Sequence, residues 1–349
     1  MENPILFLEQ MFANPMLLVA SILTLGVILV NGWTDAPSAI AGCVSTRSLS
    51  PRAALVLAGV CNFSGAVIMA ILRPGVAKSI YGIASFGEDG RVALLALCSA
   101  LTSVILWASF ASLLGLPTSE SHALIAGMSG AALSSNMSSD AISLYEWRSV
   151  LIGILVSTLP VIILAFLLYR LTLRVFSSQE RRGAMRYFRR VQRLSAGSSA
   201  FLHGAQDSQK FIGVYMLGLS FLGKIQGEEE FHIPLGITLI CAAAMTFGTM
   251  LGGSRIIKKV GCELTDLDPL SSSAADTASS ALLGVCSFLG IPTATTHAKT
   301  CALMGVGLHK RRSTSPKVAA ELFIGWILTF PVCALLGFLL SLLSQALFL

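Results

Sequence analysis

A chain of 349 residues that is 54% hydrophobic and only 12% charged, with a mean hydropathy of +0.77, is not a soluble globular domain, because such domains carry roughly 25% charged residues. Its net charge of +6 falls in loops between apolar stretches, which excludes a nucleic-acid surface and matches the loop asymmetry of a polytopic membrane protein. The eight cysteines are scattered with no C-x-x-C pair, so they imply neither a metal site nor a disulfide framework and serve as small packing residues.

In chain order, residues 1–15 hold Glu2 and Glu9 but no Lys or Arg. They lack the basic region and small-residue cleavage site of a secretory signal, so no cleaved leader is expected. Ten apolar segments follow, at 14–31, 53–72, 92–115, 118–134 and 147–170, then 198–221, 233–252, 273–290, 292–308 and 319–347. Most are long enough to span a bilayer, which takes roughly 17–25 residues. Those at 118–134, 273–290 and 292–308 are short and rich in Gly, Ser, Thr and Ala, as expected for hairpin halves or broken helices.

Between the halves, residues 170–193 hold eight arginines and a single acid, Glu180. Placing that stretch in the cytoplasm puts 17 basic residues inside and 5 outside, with Lys210 and Lys299 left in apolar segments. Lys224 and the acidic run 228–230 then fall outside, and Arg311 and Arg312 inside. Each half crosses the membrane an odd number of times, so the halves have opposite orientation. The expected fold is an all-α polytopic membrane protein of two inverted-topology repeats, about five apolar segments each, with broken helices and helical hairpins. Its parts are a first repeat (1–170), a basic cytoplasmic linker (171–195) and a second repeat (196–349).

Two motifs occur once per half, in the same order. Asn31-Gly32-Trp33-Thr34-Asp35 precedes Pro117-Thr118-Ser119-Glu120-Ser121-His122, and His203-Gly204-Ala205-Gln206-Asp207 precedes Pro292-Thr293-Ala294-Thr295-Thr296-His297. The interval from Asp to His is 87 residues in one half and 90 in the other. An Asp at the centre of a membrane helix costs about 2.5–3.5 kcal/mol, so a repeated pair, Asp35 and Asp207, points to function. Gly32 and Gly204 let the backbone unwind towards a ligand, and Pro37 helps to break the first helix. The hydroxyls after each Pro stand where a new helix starts, either capping it or cradling an anion.

His122 and His297 are either proton carriers or, the plainer role, hydrogen-bonded pins for the hairpins; His203 is expected to make a fixed hydrogen bond. Glu120 has no acidic counterpart in the second motif, and Asp276 serves a cation or proton or caps a helix. Lys210 and Lys299 snorkel or add positive potential near an anion.

Taken together, these motifs resemble the inorganic phosphate transporter (PiT) family over roughly residues 25–345. The first repeat's N-G-x-N-D-x-x-N is similar to 31–38 here, the second's H-G-A-N-D-x-Q-K to 203–210, and P-x-S-T-T-H to 117–122 and 292–297; Gly252-Gly253-Ser254-Arg255-Ile256-Ile257 is a further family-like stretch. Thr34, Ser38 and Gln206 stand where the family commonly has Asn, Glu120 where it has Thr, and Ala294 where it has Ser. The resemblance implies a secondary symporter of inorganic phosphate driven by H⁺ or Na⁺, with no further cofactor.

Asp35 and Asp207 would link the anion to the driving cation, and are the metal ligands if that cation is Na⁺. Thr34, Ser38, Ser119, Ser121, Gln206, Gln209, Thr295 and Thr296 would hold oxygen atoms, with Glu120, His122, His203, Lys210, Asp276 and His297 in coupling or support. Phosphate keeps an O–H that can donate to a carboxylate, whereas sulfate does not. A sulfate or other oxyanion permease of the same architecture stays open, as does a homodimer. The partners implied are phosphate and the lipid bilayer, without nucleic acid; in a bacterium the location is the cytoplasmic membrane. The rival from another class is an intramembrane serine hydrolase built on Gly127-Met128-Ser129-Gly130.

Overall fold

Prolines and hydroxyl residues set where the helices of this computed structural model start, across the described residues 14–116, 118–221, 233–310 and 313–349. The N-terminal Glu2 and Glu9, the motif residue Pro117, and the charge markers Lys224, 228–230, Arg311 and Arg312 lie outside that set. Helix α1 (Pro15–Thr34) opens on Pro15 with the Asn14 side chain accepting from the Met16 and Leu17 N–H groups. It ends at Asp35, and α2 (Pro37–Ser45) restarts at Pro37, whose missing N–H costs nothing in a first turn. Then come α3 (Pro51–Leu72), α4 (Gly75–Tyr81), α5 (Gly90–Leu113), α6 (Glu120–Ser135), α7 (Leu144–Val156) and α8 (Leu159–Val175).

The second half begins in the 40-residue helix α9 (Arg181–Ser220), which carries the arginines at its start and the His203–Lys210 motif further along without a break. Next, α10 (Leu235–Leu251) bends by 66° into α11 (Ser254–Lys258) and a π-turn (Lys259–Glu263). Gly252 makes that bend with φ +85, a backbone state open to glycine. The chain closes with α12 (Pro269–Leu289), α13 (Thr295–His309) and α14 (Pro316–Phe348).

All ten expected apolar segments are helical, but fewer of them are simple spans. Among the described residues five helical stretches are long and apolar enough to cross a membrane, six if the bent α10–α11 pair is one span. With 16 and 15 residues, α6 and α13 reach only about 24 Å at ~1.5 Å per residue, short of a ~30 Å hydrocarbon core. This agrees with their reading as hairpin halves.

Two apolar cores hold the helices together. One gathers Val27 and Ile28 of α1, the inner faces of α5 and α6, and Phe211–Leu219 of α9. The other gathers Ala39 and Ile40 of α2, Ala200 of α9, and the inner faces of α12 and α13. The chain therefore runs from the first core to the second through residues 31–38, and from the second to the first through residues 203–210. The two motifs sit at those crossings, traversed in opposite senses.

Packing between the halves is reciprocal. Helix α1 packs on α10 while α9 packs on α3, and α6 packs on α14 while α13 packs on α8. At each junction a glycine lets backbones touch. A Cβ on Gly32 would strike the Met245 carbonyl and one on Gly204 the Asn62 carbonyl. Gly130 meets Ala334 in the same way, and Gly305 meets Ile162. The motif glycines thus serve close helix packing rather than unwinding; the break in α1 comes at Asp35, and α9 has none.

Candidate functional site

At the crossing of the two motif helices lies a buried polar centre. Asp35, Glu120, Asp207 and Lys210 are each no more than 2% exposed, between the two apolar cores. Such charges persist only when they are paired or liganded.

Asp207 is surrounded by donors. Lys210 Nζ, one helical turn on, donates to its Oδ1 at 2.6 Å. Thr295 Oγ1 donates to Oδ2 at 3.1 Å, and Asn31 Nδ2 donates to the same oxygen at 3.3 Å. His203 Nε2 lies 3.3 Å from Oδ2 but out of line for a hydrogen bond. Its Nδ1 meets Asn62 Oδ1 at 3.1 Å, and Asn62 Nδ2 donates to Thr249 Oγ1 at 3.0 Å. The expected fixed hydrogen bond of His203 is therefore present, and its partner Asn62 was missed; the only signal was a lone Asn in the apolar run 53–72.

Asp35 has a different neighbourhood. Asn31 Nδ2 donates weakly to its Oδ2 at 3.5 Å. The Glu120 carboxyl lies within interaction range of it and accepts from Thr34 Oγ1 at 2.5 Å. Asp35 Oδ1, Glu120 Oε2 and Asn31 Oδ1 are buried oxygens with no donor among the described residues. Asp35, His203 and Asp207 together present ligand atoms within 4.8 Å of one another, a set able to hold a metal cation.

The hairpin ends meet this centre. Lys210 Nζ also donates to Ser121 Oγ at 2.6 Å and to the Thr293 carbonyl at 2.5 Å, which ties α9 to both hairpins. Ser119 caps α6 by accepting from the His122 N–H at 3.4 Å. Gln206 is committed to the second hairpin: its Nε2 donates to Ser287 Oγ and the Ile291 carbonyl, and its Oε1 accepts from the Thr293 N–H. Gln206 therefore fixes the turn and is not free to hold an anion. The Gln209 side chain and the Thr293 and Thr296 hydroxyls are buried without partners among the described residues, and Ser38 is buried three residues after Asp35.

Three expectations are corrected. His122 and His297 do not pin the hairpins by hydrogen bonds: their four ring nitrogens have no partner among the described residues. They meet edge to face at 4.4 Å, His297 stacks on Trp326 at 3.7 Å and His122 lies on Phe330 at 4.7 Å. The α14 aromatics leave room for ring contact and offer no acceptor. Lys210 and Lys299 do not snorkel, being 1% and 2% exposed. Asp276 does not cap α12, a role taken by Asp268; it pairs with Lys299, which also donates to the Ala39 carbonyl at 3.2 Å, and it accepts from Ser195 at 3.3 Å. Asp276 and Lys299 form a second buried cluster with its own partners.

Ser129 donates to the Ile125 carbonyl and accepts from Trp147 Nε1, so no histidine activates it. A crevice of about 1280 Å³ opens between α1, α5 and α14 and shares no lining residue with the polar centre.

Residues 31–337 match the model of the phosphate transporter family. A probable low-affinity inorganic phosphate transporter of Bacillus subtilis (strain 168) is 31% identical over 309 residues, covering 88% of this chain and 91% of its own length. Another from Rhizobium meliloti (strain 1021) is 32% identical over 343 residues, with 95% and 97% covered. Among solved structures, a sodium-dependent phosphate transporter superposes with a TM-score of 0.87 at 19% identity, covering 96% of this chain and all of that one; the likeness is one of fold.

Proposed function

The chain belongs to the phosphate transporter family, and from that premise we propose how it works: as a symporter that moves inorganic phosphate through the Asp35–Asp207 centre, driven by H⁺ or Na⁺. It is an integral membrane protein and a transporter, not an enzyme. The observation that carries the mechanism is the meeting, in one buried centre, of two equivalent carboxylates from the two halves with the starts of both hairpin helices.

Free N–H groups and the positive ends of α6 and α13 suit an anion, and the hydroxyls of Ser121 and Thr296 can donate to its oxygens, while that of Thr295 is held by Asp207. The carboxylates select for a ligand that can donate back. Phosphate near neutral pH keeps at least one O–H for this purpose; sulfate has none and meets only repulsion. A cation held by Asp35 offsets the remaining negative charge and so links its own binding to that of phosphate.

The opposite senses in which α1–α2 and α9 cross the two cores support inverted repeats (1–170 and 196–349) that rock about this centre. The basic stretch 171–195 would face the cytoplasm, and in a bacterium the protein would lie in the cytoplasmic membrane. The test is uptake of labelled phosphate into proteoliposomes under an imposed Na⁺ or H⁺ gradient, with and without excess sulfate. Gradient-driven accumulation that sulfate leaves intact is expected; accumulation abolished by sulfate would assign another oxyanion.

A further inference from the structure

The polar centre has an approximate twofold correspondence that its charges break. Aligning the repeated motifs pairs Asp35 with Asp207, Ser38 with Lys210, Glu120 with Thr295, and Ser121 with Thr296. The contacts obey that pairing. Asp207 accepts from Thr295, and its counterpart Asp35 faces Glu120. Asn31 approaches Asp35 four residues on, and His203 approaches Asp207 at the same offset.

On the second-repeat side the Lys210 ammonium has three oxygen ligands from three parts of the chain: Asp207 Oδ1, Ser121 Oγ and the Thr293 carbonyl. That is the oxygen environment of a small monovalent cation, and the cation in it is covalently tethered. On the first-repeat side Ser38 stands in place of Lys210, and among the described residues no ammonium hydrogen-bonds to Asp35, which feels Lys210 only at longer range. Glu120 adds a second carboxylate where the other side has the neutral Thr295. Among the described residues three oxygens of this side are buried and unpartnered, Asp35 Oδ1, Glu120 Oε2 and Asn31 Oδ1, and so is Oγ1 of Thr296, the counterpart of Ser121 in the aligned motif. A single shared proton would satisfy two of them, whereas a metal cation takes several oxygen ligands at once.

Building on the symporter reading above, we propose that Lys210 is a built-in cation filling one of two equivalent seats, so that one Na⁺ per phosphate is taken up, at the Asp35–Glu120 seat. Lys210 thus sets the coupling ratio, and Glu120 is a ligand particular to the open seat. Two buried carboxylates on that side, with no protein cation bonded to either among the described residues, make it the place where a mobile cation gains most. Phosphate then meets one tethered and one mobile positive charge.

The experiment is parallel uptake of labelled Na⁺ and labelled phosphate by the full chain in proteoliposomes at fixed pH. The native protein is expected to take up one Na⁺ per phosphate, with a Hill coefficient for Na⁺ of about 1. Lys210→Ser, which installs the first repeat's residue, is expected to take up one more Na⁺ per phosphate, with the coefficient rising towards about 2. Glu120→Thr is expected to raise the half-activating Na⁺ concentration about tenfold while phosphate affinity at saturating Na⁺ holds. Two Na⁺ per phosphate in the native protein would overturn the proposal even if Lys210→Ser failed to fold, as would an unchanged ratio in a folded Lys210→Ser. Phosphate uptake driven by H⁺ but indifferent to Na⁺ would overturn it and leave the symporter reading standing; uptake under neither gradient would remove that reading too.

Discussion

Asp35 and Asp207 hold the same place in two copies of one motif, yet one faces acceptors and the other donors. Asp207 is neutralised within the protein by Lys210 and held by Thr295 and Asn31. Asp35 has the second carboxylate Glu120 beside it and a single weak donor in Asn31. The recurring motif supplies similar geometry twice, and differences at a few positions give the two carboxylates different neighbours. One carboxylate is tied to Lys210 and Thr295; the other, on the proposed mechanism, takes the ligand.

The largest expected effect separates these roles. Asp207→Asn strands the Lys210 ammonium in a buried site and should cost about 3–5 kcal/mol of stability, the usual penalty for breaking a buried pair. Asp35→Asn removes one of two facing carboxylates and should cost about 1 kcal/mol or less, within the ordinary range. Thermal unfolding of both variants in detergent checks the order; equal losses would erase the distinction between the two carboxylates.

The second buried pair offers a similar contrast. Asp276 lies as far before Gly290 as Leu101 does before Gly115, and Lys299 lies as far after His297 as Leu124 does after His122. The first repeat therefore fills with two buried leucines the place where the second has an ion pair. Lys299→Met alone should lose about 3–5 kcal/mol, and the double Asp276→Leu/Lys299→Leu should recover most of it. A double-mutant cycle on melting temperature measures this, and a double variant no better than the single would show the two sites are not equivalent.

Smaller effects are expected where the repeats are alike. Gly32→Ala and Gly204→Ala each push a Cβ into the backbone of the opposite half, and each should cost about 1–3 kcal/mol. Very different losses from the two would argue against reciprocal packing. The smallest effect concerns the caps of α5 and α12, Asp89 and Asp268. Burial pushes the Asp268 carboxyl up, but hydrogen bonds from Lys310 and Ser271 outweigh it, and the group ends below its ordinary value. A depressed carboxylate contributes stability above its unfolded value of about 3.9 and loses it as the pH falls through the folded value. Asp268→Ala should therefore cost about 1 kcal/mol at pH 7 and progressively less below pH ~4. Melting curves of this variant and Asp89→Ala across pH would show whether Lys310 makes the difference.

Much of this was legible in the sequence because the same motifs occur once in each half. The Gly-x-x-Asp pair, the hydroxyl runs and the short helices α6 and α13 lie where those motifs put them, whereas the segment expected at 273–290 belongs to α12, an unbroken helix of 21 residues. What stayed hidden depends on partners distant in sequence. Nothing in residues 198–221 says that Lys210 reaches Ser121 and Thr293, or that Gln206 is spent on the α12–α13 turn. Asn62 looked like one polar residue in an apolar run, and Trp326 and Phe330 like ordinary aromatics, until α14 brought the latter pair against His122 and His297. The short helices α2, α4 and α11 also escaped, being too brief for hydrophobic periodicity to mark.

The most direct test of a cation-coupled Asp35 is labelled-phosphate uptake by Asp35→Asn in proteoliposomes under the gradient that drives the native protein. The variant should first be shown to melt close to the native temperature. A folded Asp35→Asn that no longer accumulates phosphate against its gradient is the predicted result; accumulation at the native rate would contradict the role given to that carboxylate.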